Sequence, residues 1–297
     1  MRMSRAVALF IVVEGKELDA PFYDSLAASS PTVRAGGYQV WLVEQITRGQ
    51  RSNGPTSGKK AVLDLYDFYR RKRNLALRNS FGRRSIVFCI DRDNDDVSGA
   101  VRTGPHVVYT EMYDAEAHVF ANADFVPAIA KSAFLDRETT EDFLRAHPDW
   151  LGSFANAWRE WITLCCLAKA VHARSSIGFR QQNRVNTARY GPVDDGAVAA
   201  ALTEITARSP CSAEDFTRIE RIVRRRIKKI YESGSGVRLV RGKWLPVYLG
   251  HLLAKYLGNT FVHNGFETRA VVAFLSHVDF SQPWATYFRR RFEQILS

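Results

Sequence analysis

The 297-residue chain is 46% hydrophobic and 25% charged, the balance of a soluble globular protein long enough for one large or two ordinary domains. Its net charge of +11 is uneven: residues 1–120 hold 17 Lys and Arg against 14 Asp and Glu, and residues 121–297 hold 25 against 17. No apolar run reaches the length of a membrane span, the first five residues are too short and polar for a signal peptide, and the four cysteines show no CxxC spacing; a membrane protein, a disulfide scaffold and a zinc module are therefore excluded, and a reducing cytoplasm is expected.

Residues 6–15 (AVALFIVVEG) are an apolar, largely β-branched run that stops at Glu14 and Gly15. Such a run reads as a strand buried on both faces of a parallel sheet. Residues 18–28 have helical spacing (Leu18, Phe22, Leu26), and 38–46 (YQVWLVEQI) read as a second strand. Residues 47–60 form a polar loop ending in GPTSGKK, one residue short of a P-loop and with Lys60 where a Ser or Thr should hold Mg2+, so an ATP site is discounted. The spacing predicts an amphipathic helix over 61–77, with a basic tail at Arg70, Arg71, Lys72 and Arg73 that suits either the helix dipole or a phosphate. Residues 85–90 (SIVFCI) read as a third strand running into Asp91, Arg92, Asp93, Asn94, Asp95 and Asp96. An acidic loop or short helix follows over 91–104, then a short strand over 105–110 and a helix from about 113, with Glu116 directed back toward the acids. Four such β-α steps make an α/β unit with a mostly parallel sheet.

A carboxylate at the C-terminal end of a parallel strand sits where open α/β sheets bind ligands. With strands 6–15 and 85–90 side by side, Glu14, Asp91 and Asp93 converge on one edge. Three clustered carboxylates raise one another's pKa unless a cation sits among them. All-oxygen donors favour Mg2+ or Mn2+. The alternative is that Asp91 to Asp96 only form a turn, although Glu14 serves no turn need.

Beyond residue 120 strand signals fade and helices are predicted over 141–144, 150–173 and 197–207, with Trp158, Trp161, Ile162, Leu164 and Cys165 as core. Residues 179–190 read as a surface loop or an RNA contact. The 215–231 helix has an apolar stripe (Phe216, Ile219, Ile222, Val223, Ile227, Ile230) and, opposite, Arg218, Arg221, Arg224, Arg225, Arg226, Lys228 and Lys229. So many like charges repel, and a polyanion relieves the repulsion; Arg221, Arg224, Arg225 and Lys228 are the expected nucleic-acid contacts, with an acidic protein surface as the competing partner. A turn, Arg241-Gly242-Lys243-Trp244, leads into a helix over 245–257, and one or two helices fill 270–295. The expected division is a catalytic domain over 1–120 and a mainly helical, basic domain over 121–297.

A buried strand ending in Glu-Gly, a helix, and a later strand ending in Asp-x-Asp together resemble the TOPRIM domain shared by topoisomerases, primases and OLD-type nucleases. The order Glu14-Gly15-Lys16, Asp19, Phe22-Tyr23, Asp91-Arg92-Asp93, Val107-Val108-Tyr109-Thr110, then Tyr113, Glu116 and His118 is similar to the AriB-type effectors of the PARIS anti-phage defence system. The resemblance covers roughly residues 6–120. It implies a TOPRIM-like fold and a metal-dependent endonuclease, with Glu14 as ligand or general base, Asp91 and Asp93 as ligands, Asp95 and Glu116 as further ligands, and Lys16 at the scissile phosphate. Lys243, in a turn resembling a late Gly-Lys element of these effectors, is a further phosphate contact. It also implies RNA rather than DNA as substrate (transfer RNA), an ABC-type ATPase partner and a homodimer. The alternative reading is a non-catalytic module binding nucleic acid or an acidic partner on a degenerate TOPRIM scaffold.

Overall fold

The computed structural model describes residues 7–15, 18–47, 57–79, 82–173, 177–186 and 190–297. In chain order, β1 (Leu9–Val13) is followed by α1 (Asp19–Ser29), α2 (Pro31–Gly36), β2 (Tyr38–Leu42), α3 (Val43–Thr47) and α4 (Gly58–Arg71). Then come β3 (Ala76–Asn79), β4 (Gly82–Ile90), α5 (Asp95–Ser98), β5 (Val107–Tyr109) and α6 (Ala115–Asn122). The rest is helical: α7 (Phe125–Ala133), α8 (Arg137–Ala146), α9 (Trp150–Ala157), α10 (Arg159–Ala170), α11 (Asp195–Arg208), α12 (Ala213–Glu232), α13 (Leu245–Leu257), α14 (Phe266–Ser276) and α15 (Thr286–Leu296). The expected α/β class, with a helix-flanked, mostly parallel sheet and a helical C-terminal region, is what the chain forms.

Two compact units divide these elements. The first comprises the described residues of Met1–Asp91, Arg102–Thr110 and Asp279–Ser297; the second comprises Arg92–Val101 and Glu111–Val278. The units therefore interleave in sequence, in place of the single expected boundary after residue 120.

The first unit is built on the sheet, in the order β2-β1-β4 with all three strands parallel. The remaining edge of β4 is shared. Its first half pairs antiparallel with β3 (Ala76↔Ser85), and its last half pairs parallel with β5 (Phe88↔Val107). β1 is buried at every position, as a run of apolar residues with helices on both faces requires. Alternate residues serve the two faces. Phe10, Val12, Ile86 and Phe88 pack with Val62, Leu65 and Tyr66 of α4. On the other face lie α1 and α15, where the Ser85 hydroxyl donates to the Ile295 carbonyl oxygen at 3.0 Å.

Helix α15 belongs to this unit, although the sequence division counted it with the helical region. Phe288, Phe292 and Ile295 are buried. Phe22 of α1 meets Phe288 edge-on at 6.0 Å and Phe280 at 5.7 Å. Arg291 donates to the carbonyl oxygens of Pro105 and Val107 at 3.2 Å, which fastens the helix to the lead-in of β5.

The helix expected over 61–77 stops at Arg71, because Arg73 takes φ 56° and turns the chain into β3. A left-handed residue cannot continue a right-handed helix. The strand expected over 38–46 ends at Leu42, and Val43 opens the short helix α3.

Among the described residues the second unit is built of helices, with one isolated bridge between Ala123 and Val278. Trp150, Trp158, Trp161 and Trp244 are almost fully buried, so the core role expected for Trp158 and Trp161 holds. Trp158 ends α9 and precedes α10, splitting the single helix expected over 150–173. Its ring meets Trp244 at 5.3 Å and Tyr190 at 5.1 Å. No helix of the described residues is long and apolar enough to cross a membrane.

Candidate active site

The sheet unit gathers acids at the C-terminal ends of β1 and β4. Because the two strands are adjacent and parallel, Glu14 and Asp91 leave them on the same edge. The Asp91 amide donates to Glu14 Oε1 at 2.9 Å. One turn on, the Gly15 amide donates to Asp19 Oδ2 at 2.7 Å. A Cβ on Gly15 would lie 3.0 Å from that same oxygen, so the close approach of Asp19 favours glycine there.

Two groups that sequence reasoning did not assign complete this edge. Lys59 Nζ donates to the Asp91 carbonyl oxygen at 2.5 Å and stands 5.4 Å from the centre of the Tyr109 ring. It belongs to the GPTSGKK run that misses the P-loop spacing. Tyr23 is fully buried. Burial first, then the neighbouring Cys89, Asp91, Asp19 and Glu14, push its phenol well above the ordinary value. Burial also pushes the Cys89 thiol up, with Asp19 adding to it. Cys89 is thereby kept protonated and does not compete as a ligand.

The donor set at this edge is carboxylate oxygen, the chemistry of a hard cation. Among the described residues no three His, Cys, Asp or Glu side chains are gathered closely enough to hold an ion. Glu14 and Asp19 each accept a backbone amide instead. Lys16 lies outside the described residues.

The other acids of the expected set belong to the helical unit. Asp93 and Asn94 take φ 47° and 56°, left-handed values that short polar side chains tolerate. The surroundings hold this turn firmly. The Asp93 amide donates to the Tyr113 carbonyl oxygen at 2.9 Å, and Asn94 Nδ2 to the Leu239 carbonyl oxygen at 3.0 Å. Lys169 Nζ donates to the Asp93 carbonyl oxygen at 3.0 Å and to Asp95 Oδ1 at 2.5 Å, so Asp95 is buried with a cationic partner. For Asp96, burial alone would raise the carboxyl, but Arg238 at 2.7 Å and Arg92 at 3.4 Å outweigh it and hold it below the usual range.

Glu116 lies in the first turn of α6, which Asp114 caps by accepting from the Ala117 amide at 2.8 Å. Both Asp114 carboxylate oxygens also accept from the Gly242 amide at 3.1 Å. This seats the turn carrying Lys243 against the start of α6. A Cβ on Gly242 would overlap Asp114, Glu116 and the Ala117 nitrogen, so only glycine fits. Burial, then the charge of Glu116, raises Asp114 well above its ordinary value. Nearby, His118 Nε2 accepts from the amides of Glu111 and Met112 at 3.0 and 3.1 Å. Burial and then Arg92 push its pKa down to about 3, so the ring is neutral.

The basic helix α12 divides its charges. Arg224 pairs with Glu220 at 2.8 Å and Glu160 at 3.1 Å. Arg226 donates to the Val97 carbonyl oxygen at 2.8 Å, and Lys228 stands 3.6 Å from Glu232. Arg221 and Arg225 are exposed. They make no ion pair among the described residues.

Compared with protein-family models, with curated proteins and with solved structures, the chain matches none.

Proposed function

We propose that the chain is a metal-dependent endonuclease that cleaves RNA. The observation that carries this reading is the pairing of β1 with β4, which sets Glu14 and Asp91 together at the C-terminal edge of a parallel sheet. Glu14 and Asp91 are the two carboxylates that would hold Mg2+ or Mn2+. When bound there, Mg2+ would supply Lewis acidity toward a phosphodiester oxygen and lower the pKa of a water. If Glu14 acts as base rather than ligand, its carboxylate, released from the Asp91 amide, would take the proton of the attacking water as the new P–O bond forms and the bond to the leaving oxygen breaks, that oxygen taking a proton from solvent. Lys59, held at the Asp91 carbonyl, keeps positive charge at the edge where the phosphate enters. Arg221 and Arg225 supply sequence-independent phosphate contacts. By the resemblance to PARIS effectors the RNA is transfer RNA, and an ABC-type ATPase is the partner that holds the effector in check.

A second reading, a binding module without catalysis, draws on the exposed, unmatched Arg221 and Arg225 alone. A calorimetric titration with Mn2+ separates the two. The nuclease reading expects saturable binding that Glu14→Ala and Asp91→Ala each remove while the far-ultraviolet circular dichroism is unchanged. Equal Mn2+ binding by both variants and the wild type overturns it.

A further inference from the structure

The helical unit holds a pocket of about 380 Å3, lined by Asp93, Tyr113, Lys169, Phe179, Arg180 and Arg241 among others. That volume is in the range of small-molecule sites, about 300–1,000 Å3. Its wall combines two chemistries. One is cationic. Lys169 is matched by Asp95, but Arg180 and Arg241 make no ion pair among the described residues. Arg241 is fixed by donating one N–H to the Phe179 carbonyl oxygen at 3.1 Å. Its remaining donors make no hydrogen bond among the described residues. Guanidinium groups in this state suit the planar, bidentate recognition of phosphate.

The other chemistry is aromatic. Phe179 stacks on the buried Trp244 at 5.6 Å with 27° between the planes, and it meets Tyr113 at 4.8 Å and 51°. Trp244 is in turn packed by Trp158 and Phe154. The ring at the pocket wall is therefore held before any ligand arrives. A rigid aromatic face takes a base by stacking without regard to its sequence. Burial pushes the Tyr113 phenol far up, with Asp93 and Asp114 adding to it, so it remains an O–H donor.

We infer that this pocket takes one nucleoside monophosphate unit, with its base on the Phe179 ring and its phosphate on Arg180 and Arg241. The unit comes either from a free nucleotide or from a strand. The strand source deepens the nuclease reading and rests on it, giving the enzyme a nucleotide-recognition pocket whose wall includes Asp93.

The test is calorimetry on the full chain in EDTA, so that no cleavage intervenes. AMP is the probe, compared with adenosine, inorganic phosphate and a short single-stranded RNA as competitor. The expected result is AMP binding at least about 10-fold tighter than adenosine or phosphate. Arg180→Ala and Arg241→Gln each weaken it about 10-fold or more, the scale of a lost charge-assisted hydrogen bond. Arg180 is exposed and unpaired among the described residues, so its removal leaves the fold intact. Displacement of AMP by RNA assigns the pocket to a strand; AMP binding that RNA does not displace assigns it to a free nucleotide. No AMP binding at millimolar concentration, or binding undiminished in both variants, overturns the pocket. Either result leaves the metal-dependent cleavage reading standing, and loss of cleavage with AMP binding intact leaves the pocket standing.

Discussion

The Asp91 amide donates to the Glu14 side chain at 2.9 Å, so the residue after β1 closes the end of β4. Glu14 therefore has a structural contact and a proposed chemical role at once, and the two respond differently to substitution. Glu14→Gln keeps a carbonyl oxygen for the Asp91 amide and removes the negative charge. It is expected to hold stability within about 0.5 kcal/mol, while Glu14→Ala costs about 0.5–1.5 kcal/mol. Both are expected to lower metal-dependent RNA cleavage by at least about 100-fold. Urea denaturation read beside a cleavage assay separates the two effects.

The neutral His118 makes stability depend on pH. Its folded pKa is pushed down to about 3, while an unfolded histidine titrates near 6.5. Between those values the unfolded chain binds the extra proton, so this contribution is full above about pH 6.5 and is lost as pH falls toward 3. The slope from one such group is at most about 1.4 kcal/mol per pH unit. Denaturation midpoints measured from pH 7.5 to 4.5 should show it, and His118→Gln should flatten the curve.

Asp96 acts at lower pH. Its depressed pKa gives stability above the unfolded carboxylate value that is lost as pH falls through the folded value. Asp96→Asn weakens the contact with Arg238 and is expected to cost about 1–2 kcal/mol at pH 7 and little at pH 3. Denaturation at the two pH values checks this.

Phe288 is buried against Phe22 and Tyr23 on the sheet unit. Phe288→Ala is expected to destabilise the protein by about 3–5 kcal/mol, measured as a lower urea midpoint. A surface change on the same helix, Arg290→Ala, should stay within about 0.5 kcal/mol.

The divided charges of α12 predict unequal effects on RNA binding. Arg221→Glu with Arg225→Glu should weaken RNA binding and lower the slope of log affinity against log salt by about 1.4. Arg224→Glu should act mainly on stability, because its partners Glu220 and Glu160 would then face a like charge. Fluorescence anisotropy across a salt series distinguishes them.

The central strands were legible because a buried parallel strand leaves a continuous apolar run, and both 6–15 and 85–90 are such runs. The edge strand β3 was not, since ALRN carries no alternation and follows a helix that stops at an arginine rather than a glycine. The docking of α15 on the sheet was hidden for a different reason. Phe288, Phe292 and Ile295 mark an apolar stripe, but a stripe does not say which distant surface covers it. The same limit applied to α12. Its cations share a polar face on a helical wheel, yet Glu160, which pairs with Arg224, and the carbonyl oxygens of residues 96 and 97, which accept from Arg226, come from elsewhere in the chain. Of the candidate site, the adjacency of Glu14 and Asp91 followed from two strand ends, whereas Lys59 and the pairing of Asp95 with Lys169 needed the fold.

The most direct test is cleavage of total cellular RNA by the purified chain with Mg2+ or Mn2+, with EDTA, and with Glu14→Gln and Asp91→Asn alongside. Discrete RNA fragments that require the metal and are absent with either variant are the expected result. Fragments formed at wild-type rate by both variants, or by the wild type in EDTA, would contradict it.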